Sequence, residues 1–195
     1  MMRTLKILLF LFISCLCFGC QSSLRRESRI EKQDDVYVLS FANLSFSVSA
    51  GKGGRIVSFK CEDRELLTSD SVHSKYYGAT FWLSPQSEYW PQYQCVDELP
   101  YQAEIDKQIL RLVSPPDSIS GVSVTKEFSI SERDSSILIH YSVRNVSRQL
   151  KRLAPWDVTR VYGGLSFFPV GETDQMNKSD VTGGYEDKGM VWVPC

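Results

Sequence analysis

"GVSVTKEFSISERDSSILIHYSVRN", residues 121–145, shows whether this chain is built from helices or strands. Val122, Val124, Phe128 and Ile130 alternate with Ser123, Thr125, Glu127 and Ser129. After "SERDSS" the alternation resumes, with Ile137, Ile139, Tyr141 and Val143 set against Leu138, His140 and Ser142. A period of two places successive side chains on opposite faces, the pattern of a half-buried strand. The segment therefore reads as a hairpin: a strand over 121–131, a turn at Glu132, Arg133 and Asp134, and a return over 135–145.

The same pattern extends outward. "NLSFSVSA" puts Leu44, Phe46 and Val48 on one face and Ser45, Ser47 and Ser49 on the other. "AGKGG", "SPPDS" and "RNVSRQ" punctuate the strands as turns. Only "DELPYQAEIDKQ" suggests another element, and Pro100 cuts it short. The expectation is an all-β fold, an antiparallel β-sandwich. The terminal "YEDKGMVWVPC" reads as a strand that begins and then stops. An unpaired edge is expected there, and with it a domain incomplete at its C-terminus.

The first residues belong to targeting rather than to the fold. Arg3 and Lys6 precede an apolar run of thirteen residues, Ile7 to Gly19. A span needs about 20 residues, so the run reads as a secretory signal. It ends in "GCQSS", which resembles the lipobox of bacterial lipoproteins, with Cys17 where that motif usually has leucine. The resemblance implies cleavage before Cys20 and lipidation of its thiol, and so a protein of the bacterial cell envelope held to the membrane by a lipid anchor. An ordinary secretory signal is the alternative. Residues 1–19 are then signal, 20–34 a charged tether and 35–195 the domain. The mature chain keeps 20 basic against 23 acidic residues, a net charge of −3. That balance gives no reason to expect nucleic acid as a partner. Cys61 and Cys95 either pair in an oxidising compartment or stand as separate buried thiols. No clustered Cys or His motif suggests a metal, and no fingerprint suggests a cofactor.

Two segments carry chemistry. "LAPWDVTRVYGG", residues 153–164, places Trp156, Asp157 and Arg160 within five positions. "FWLSPQSEYWPQ", residues 81–92, holds Trp82, Gln86 and Trp90, is interrupted by two prolines and reads as a loop on a binding rim. Sugars are bound by aromatic faces stacked on C–H faces and by fixed donors and acceptors for the hydroxyls. Trp, Asp, Gln and Arg are the residue types for that work. Alternation on a strand sends Trp156 and Asp157 to opposite faces unless a bulge intervenes. In the alternative reading Trp156 fills the core, Asp157 pairs with Arg160, and the 81–92 aromatics form a satellite cluster. Arg55 is expected to pair with an acid such as Glu65. His73 and His140 read as ordinary loop and sheet residues.

Three segments together resemble the galactose mutarotase-like (aldose 1-epimerase-like) superfamily. They are "GGRIVSFKCEDRELL" (53–67), "YYGATFWLSPQSEYWPQ" (76–92) and "NVSRQLKRLAPWDVTRVYGGLSFFPVG" (145–171). The set is most similar to a group of bacterial secreted proteins with that fold, which share an FW…PQ…WP segment and a PW…TR…GG segment. The resemblance covers residues 36–193. It implies a β-supersandwich longer than this chain, with carbohydrate as partner. It also implies acid–base ring opening of an aldose at the anomeric carbon, by a histidine and a glutamate. No residue here matches that glutamate, and "APWDVTR" occupies the strand of that histidine. The resemblance therefore leaves three expectations open: an epimerase, a non-catalytic glycan-binding module and a truncated inactive remnant.

Overall fold

A computed structural model describes residues 27–90, 94–170 and 183–194. Cys20, and with it the expected lipidation, lies outside them. The chain opens with an antiparallel run: β1 (Arg29–Gln33), β2 (Val36–Phe41), β3 (Leu44–Ser49) and β4 (Arg55–Cys61). The two-residue β5 (Arg64–Glu65) and β6 (Ala79–Ser84) both pair with β4 on the edge away from β3, and β6 continues the sheet. Two single helical turns follow, α1 (Gln86–Tyr89) and α2 (Gln94–Asp97). A second sheet has the order β10-β9-β8-β7, from β7 (Gln102–Asp106), β8 (Ile109–Val113), β9 (Val122–Ser131) and β10 (Ser136–Asn145). The chain then returns to the first sheet as β11 (Ala154–Thr159), paired with β6 at the sheet's edge. Finally β12 (Leu165–Pro169), β13 (Tyr185–Asp187) and β14 (Met190–Pro194) form a small sheet in the order β12-β14-β13.

This is an all-β, antiparallel, sandwich-like fold. Its core is the shared interior of the two larger sheets. Leu39, Phe46, Val48, Ile56, Phe81 and Leu83 come from the first, and Leu110, Leu112, Val122, Val124 and Phe128 from the second. Burying each such side chain is worth roughly 1.5–3 kcal/mol. The hairpin forms as its alternation predicts, β9 pairing with β10 from Ser131↔Ser136 to Val122↔Asn145. Glu132 in its turn accepts hydrogen bonds from the backbone N–H and hydroxyl of Ser28, both at 2.8 Å. The start of β1 is thereby tied to the hairpin, and the sheet extends into the stretch that reads as a tether.

A register shift between Ser47 and Val48 lets Val48 face Ile56 while Phe46 faces Phe59. Ile56 and Phe59, three positions apart, can then both turn to the core, which a regular strand does not allow. Arg55 points the other way, onto the outer face.

Three expectations change. Residues 79–84 are a strand, not part of a loop: Ala79 to Leu83 are all buried. A strand covered on both faces shows no polar alternation, so its period is invisible in sequence. Residues 102–106, in the stretch that suggested another element, form edge strand β7. The unpaired edge expected over 190–194 does not occur, because β14 lies between β12 and β13.

Candidate functional site

β6 and β11 assemble the site because their register sets Trp82 directly opposite Trp156. Same-face positions on the two strands are then Thr80, Trp82 and Ser84 against Val158, Trp156 and Ala154. Trp82 is buried and forms the hub. Trp156 meets it edge to face at a centroid distance of 5.4 Å, Trp90 at 5.3 Å and Tyr76 at 6.1 Å. Trp90, at the end of α1, remains 45% exposed, and Trp156 is half-buried. Edge-to-face pairs add about 0.5–1.5 kcal/mol each beyond burial.

Arg160 lies four positions beyond Trp156 and so on the same face. Its guanidinium sits 5.3 Å from the Trp82 ring centre and 5.6 Å from that of Tyr76. It donates to Thr80 Oγ1 at 3.1 Å and to the Val158 carbonyl at 3.3 Å. Trp82, Trp90, Trp156 and Arg160 are thus brought together from segments far apart in sequence. Neither the core-filling role for Trp156 nor the Asp157–Arg160 ion pair occurs.

Asp157 faces the opposite way, as alternation requires. It accepts hydrogen bonds from Tyr141 Oη and Thr159 Oγ1, both at 2.9 Å. Burial, reinforced by the Asp157 carboxylate, pushes the Tyr141 phenol well above its ordinary range. Asp157 therefore braces β11 against β10 and does not share the tryptophan face. Tyr141→Phe is expected to cost about 1 kcal/mol in a urea denaturation series and to leave ligand titrations at the tryptophan face unchanged.

Where the two strands end, Ser84 faces Ala154, and a cavity of about 380 Å³ opens between Pro85, Glu88, Arg152 and Leu153. Glu88 and Arg152 are its charged groups. Gln86 is exposed on α1 and does not line it. Glu88 stands in the same aromatic segment, where the expected polar contact was Gln86. Arg152 lies in a basic run, and nothing in sequence marks it.

Beneath Trp82 is a buried charge cluster that sequence did not reveal. Trp82 Nε1 donates to Asp97 Oδ2 at 3.2 Å, and Arg55 Nη2 reaches the same oxygen at 3.1 Å. Burial raises the Asp97 carboxyl above the usual carboxylate range, against the pull of Arg55, Trp82 and Lys126. Arg55 thus pairs with Asp97 rather than Glu65. Glu65 instead accepts from Ser58 and from the backbone N–H groups of Phe59, Leu66 and Leu67.

The histidines lie elsewhere. His73 Nδ1 accepts the backbone N–H groups of Lys75 and Tyr76, at 3.1 and 2.9 Å. His140 Nδ1 lies 3.2 Å from Glu127 Oε2 on the exposed side of the hairpin. Cys61 is an exposed free thiol that accepts from Asn43 Nδ2 at 3.7 Å. The Cys95 side chain lies outside the described residues. Among the described residues no three His, Cys, Asp or Glu side chains gather to hold a metal ion, and no helix is long and apolar enough to cross a membrane.

No protein-family model, no curated protein and no solved structure matches this chain.

Proposed function

We propose that this chain is a carbohydrate-binding protein of the bacterial envelope, carried on a lipid anchor at Cys20, with a mutarotase-like sandwich. The observation that carries the reading is the in-register pairing of Trp82 with Trp156 beside a cavity edged by Glu88 and Arg152. Trp90 and Trp156 offer apolar ring surface for the C–H face of a pyranose. Glu88 accepts from hydroxyls and Arg152 donates to them, so a ligand seated across the cavity mouth meets both kinds of group. Arg160 is committed to Thr80 and the rings, and its part is to hold the tryptophan face in place.

Binding is favoured over epimerisation at the anomeric carbon. Acid–base ring opening needs two proton-transfer groups within reach of one substrate. Glu88 is the carboxylate lining this cavity, and both histidines are engaged away from it. The test is tryptophan fluorescence and saturation-transfer NMR on the full chain with a panel of neutral oligosaccharides. Trp156→Ala is expected to weaken the best binder about 30-fold, as loss of a central aromatic worth about 2 kcal/mol would. Saturation transfer without anomer exchange supports the binding module. Exchange catalysed at that face would establish the epimerase, and no binding by any neutral sugar would remove the reading.

A further inference from the structure

The two most exposed large apolar side chains among the described residues are Leu150, at 100%, and Ile119, at 73%. Apolar residues scattered singly over a surface are ordinary, but these two extremes stand on neighbouring loops. Ile119 is in the loop from β8 to β9, and Leu150 in the loop from β10 to β11. The Val146 N–H of the second loop donates to the Gly121 carbonyl of the first at 2.8 Å. The loops touch there, since a Cβ on Gly121 would stand 2.8 Å from Ser147 Cβ and 3.0 Å from Lys151 Cε. Each loop is also held in shape by its own side chains. The Asp117 carboxylate accepts the backbone N–H groups of Ile119 and Ser120, at 3.2 and 2.7 Å. Asn145 Oδ1 accepts the Ser147 N–H at 2.9 Å, and its Nδ2 donates to the Gln149 carbonyl at 2.8 Å. Hydrogen-bonded turns thus present both aliphatic side chains to solvent, where they add nothing to the core.

The charge beside them is of one sign. Arg144, Arg148, Lys151 and Arg152 fall within nine positions of the second loop and the strand end that leads into it. None of the four forms an ion pair with a carboxylate among the described residues. The three arginines are exposed, and Lys151 is half-buried where its stem crosses Gly121. Asp117 is the one acid over 114–121 and 144–153, and both its oxygens are turned onto its own loop. This end of the second sheet is therefore cationic, on a chain whose net charge is −1. An acidic polymer would be served by the cations alone. Projecting aliphatic side chains beside unpaired cations match a bilayer, whose acyl layer takes the leucine and isoleucine while anionic headgroups take the arginines and lysine.

We propose that the β8–β9 and β10–β11 loops dock the domain onto an anionic phospholipid membrane. This goes beyond the sugar-binding reading and uses none of its aromatic residues. The experiment is hydrogen-exchange mass spectrometry on the full chain, without attached lipid, in the presence of vesicles. One set contains phosphatidylglycerol and phosphatidylcholine in equal parts, and the other phosphatidylcholine alone. Any hold that the apolar run over 7–19 has on lipid is common to both sets, and exchange is read at the loops themselves. Amides over 117–120 and 147–152 are expected to exchange about threefold or more slowly on the anionic vesicles, with the effect fading as salt rises. Phosphatidylcholine alone should give none. Ile119 and Leu150 are exposed, as are Arg144 and Arg148, so the paired variants Ile119→Ser/Leu150→Ser and Arg144→Gln/Arg148→Gln should fold, and unchanged protection of β9 would verify it. Each pair should lose the slowing on anionic vesicles while keeping neutral-oligosaccharide binding. Trp156→Ala should do the reverse, so the two readings fail separately. Equal slowing on both vesicle sets, slowing on neither, or slowing that survives either pair overturns the proposal. Slowing by polygalacturonate and not by vesicles also overturns it, and would assign the loops to an acidic glycan.

Discussion

Gly53→Ala is expected to lower the unfolding free energy by about 3 kcal/mol or more, a loss that urea denaturation would report directly. Gly53 has φ +62°, where a Cβ is disfavoured by roughly 1–2 kcal/mol. That Cβ would stand 2.2 Å from the backbone carbonyl carbon of Asp97. Backbone cannot turn aside as a side-chain end can, so α2 or the glycine loop must shift. Overpacking of this kind costs about 1–3 kcal/mol. The shift also disturbs what the two segments hold. Gly53 N–H donates to the Leu99 carbonyl at 3.0 Å, and the Gly53 carbonyl accepts from Lys126 at 2.6 Å. Arg55, two residues on, would lose its geometry with Asp97. Gly51→Ala is the control. Its Cβ would meet Asp35 Oδ2, the far end of a side chain, at 2.3 Å. That carboxylate can rotate at the cost of its bond from Ser49 Oγ, so a loss of about 1 kcal/mol or less is expected. Equal losses for the two variants would show that the close approach to Asp97 is not what Gly53 serves.

Stability is also expected to rise with pH, because of one lysine. Lys126 sits on the inward face of β9 among Val124, Phe128 and the rings of Phe81, Tyr101 and Tyr141, with its amine fully buried. Its Nζ donates to the carbonyls of Gly53 and Gly54, at 2.6 and 3.3 Å. Burial pulls its pKa from 10.5 down to about 7, against the opposing pull of Asp97 and Asp157, while nearby Arg55 adds to the depression. Between those two values the unfolded chain binds a proton that the folded chain does not. The Lys126 contribution is therefore fully present above about pH 10.5 and is lost as pH falls toward 7. From pH 7 to pH 9 the gain is about 2 kcal/mol. Guanidinium denaturation at both values would measure it, with Lys126→Met as reference. The methionine variant lacks the titrating group and should show a flatter profile. An identical pH dependence in both proteins would mean that Lys126 is not the source.

Glu127 and Lys126 illustrate what could be read in advance. The hairpin's alternation makes Glu127 an outward residue, and it is one, facing Arg111 and His140 at the surface. The same rule puts Lys126 inward, where a charge is not expected. Its burial depends on the carbonyls of Gly53 and Gly54, more than seventy positions away. No local pattern announces such a partner. Asp97 is a similar case. It belongs to "DELPYQAEIDKQ", which reads as another element cut short by Pro100 and marks no acceptor. Only the approach of α2 to β4 and β6 makes it the acceptor of both Arg55 and Trp82.

The tryptophan face was partly legible. Composition singled out Trp82, Trp90, Trp156 and Arg160, and parity along a strand separated Asp157 from Trp156. Composition could not distinguish Gln86, exposed on α1, from Glu88, which lines the cavity. That depends on which way one short helical turn faces. Nor could it place Trp82 at the hub, because β6 is covered on both sides and its five buried residues carry no period.

From residues alone came the antiparallel β-class, the hairpin over 121–145, the inward and outward faces of its strands, and the aromatic and charged types suited to a sugar. These follow from the two-residue period of a strand and from turn chemistry, both local. Folding alone decided that β11 returns to β6 in a register opposing Trp156 to Trp82, that Arg55 finds Asp97, and that Lys126 is buried against a glycine loop. These are pairings across tens of residues. They are selected by the burial of two whole sheets against each other, a free energy that no short stretch of sequence contains.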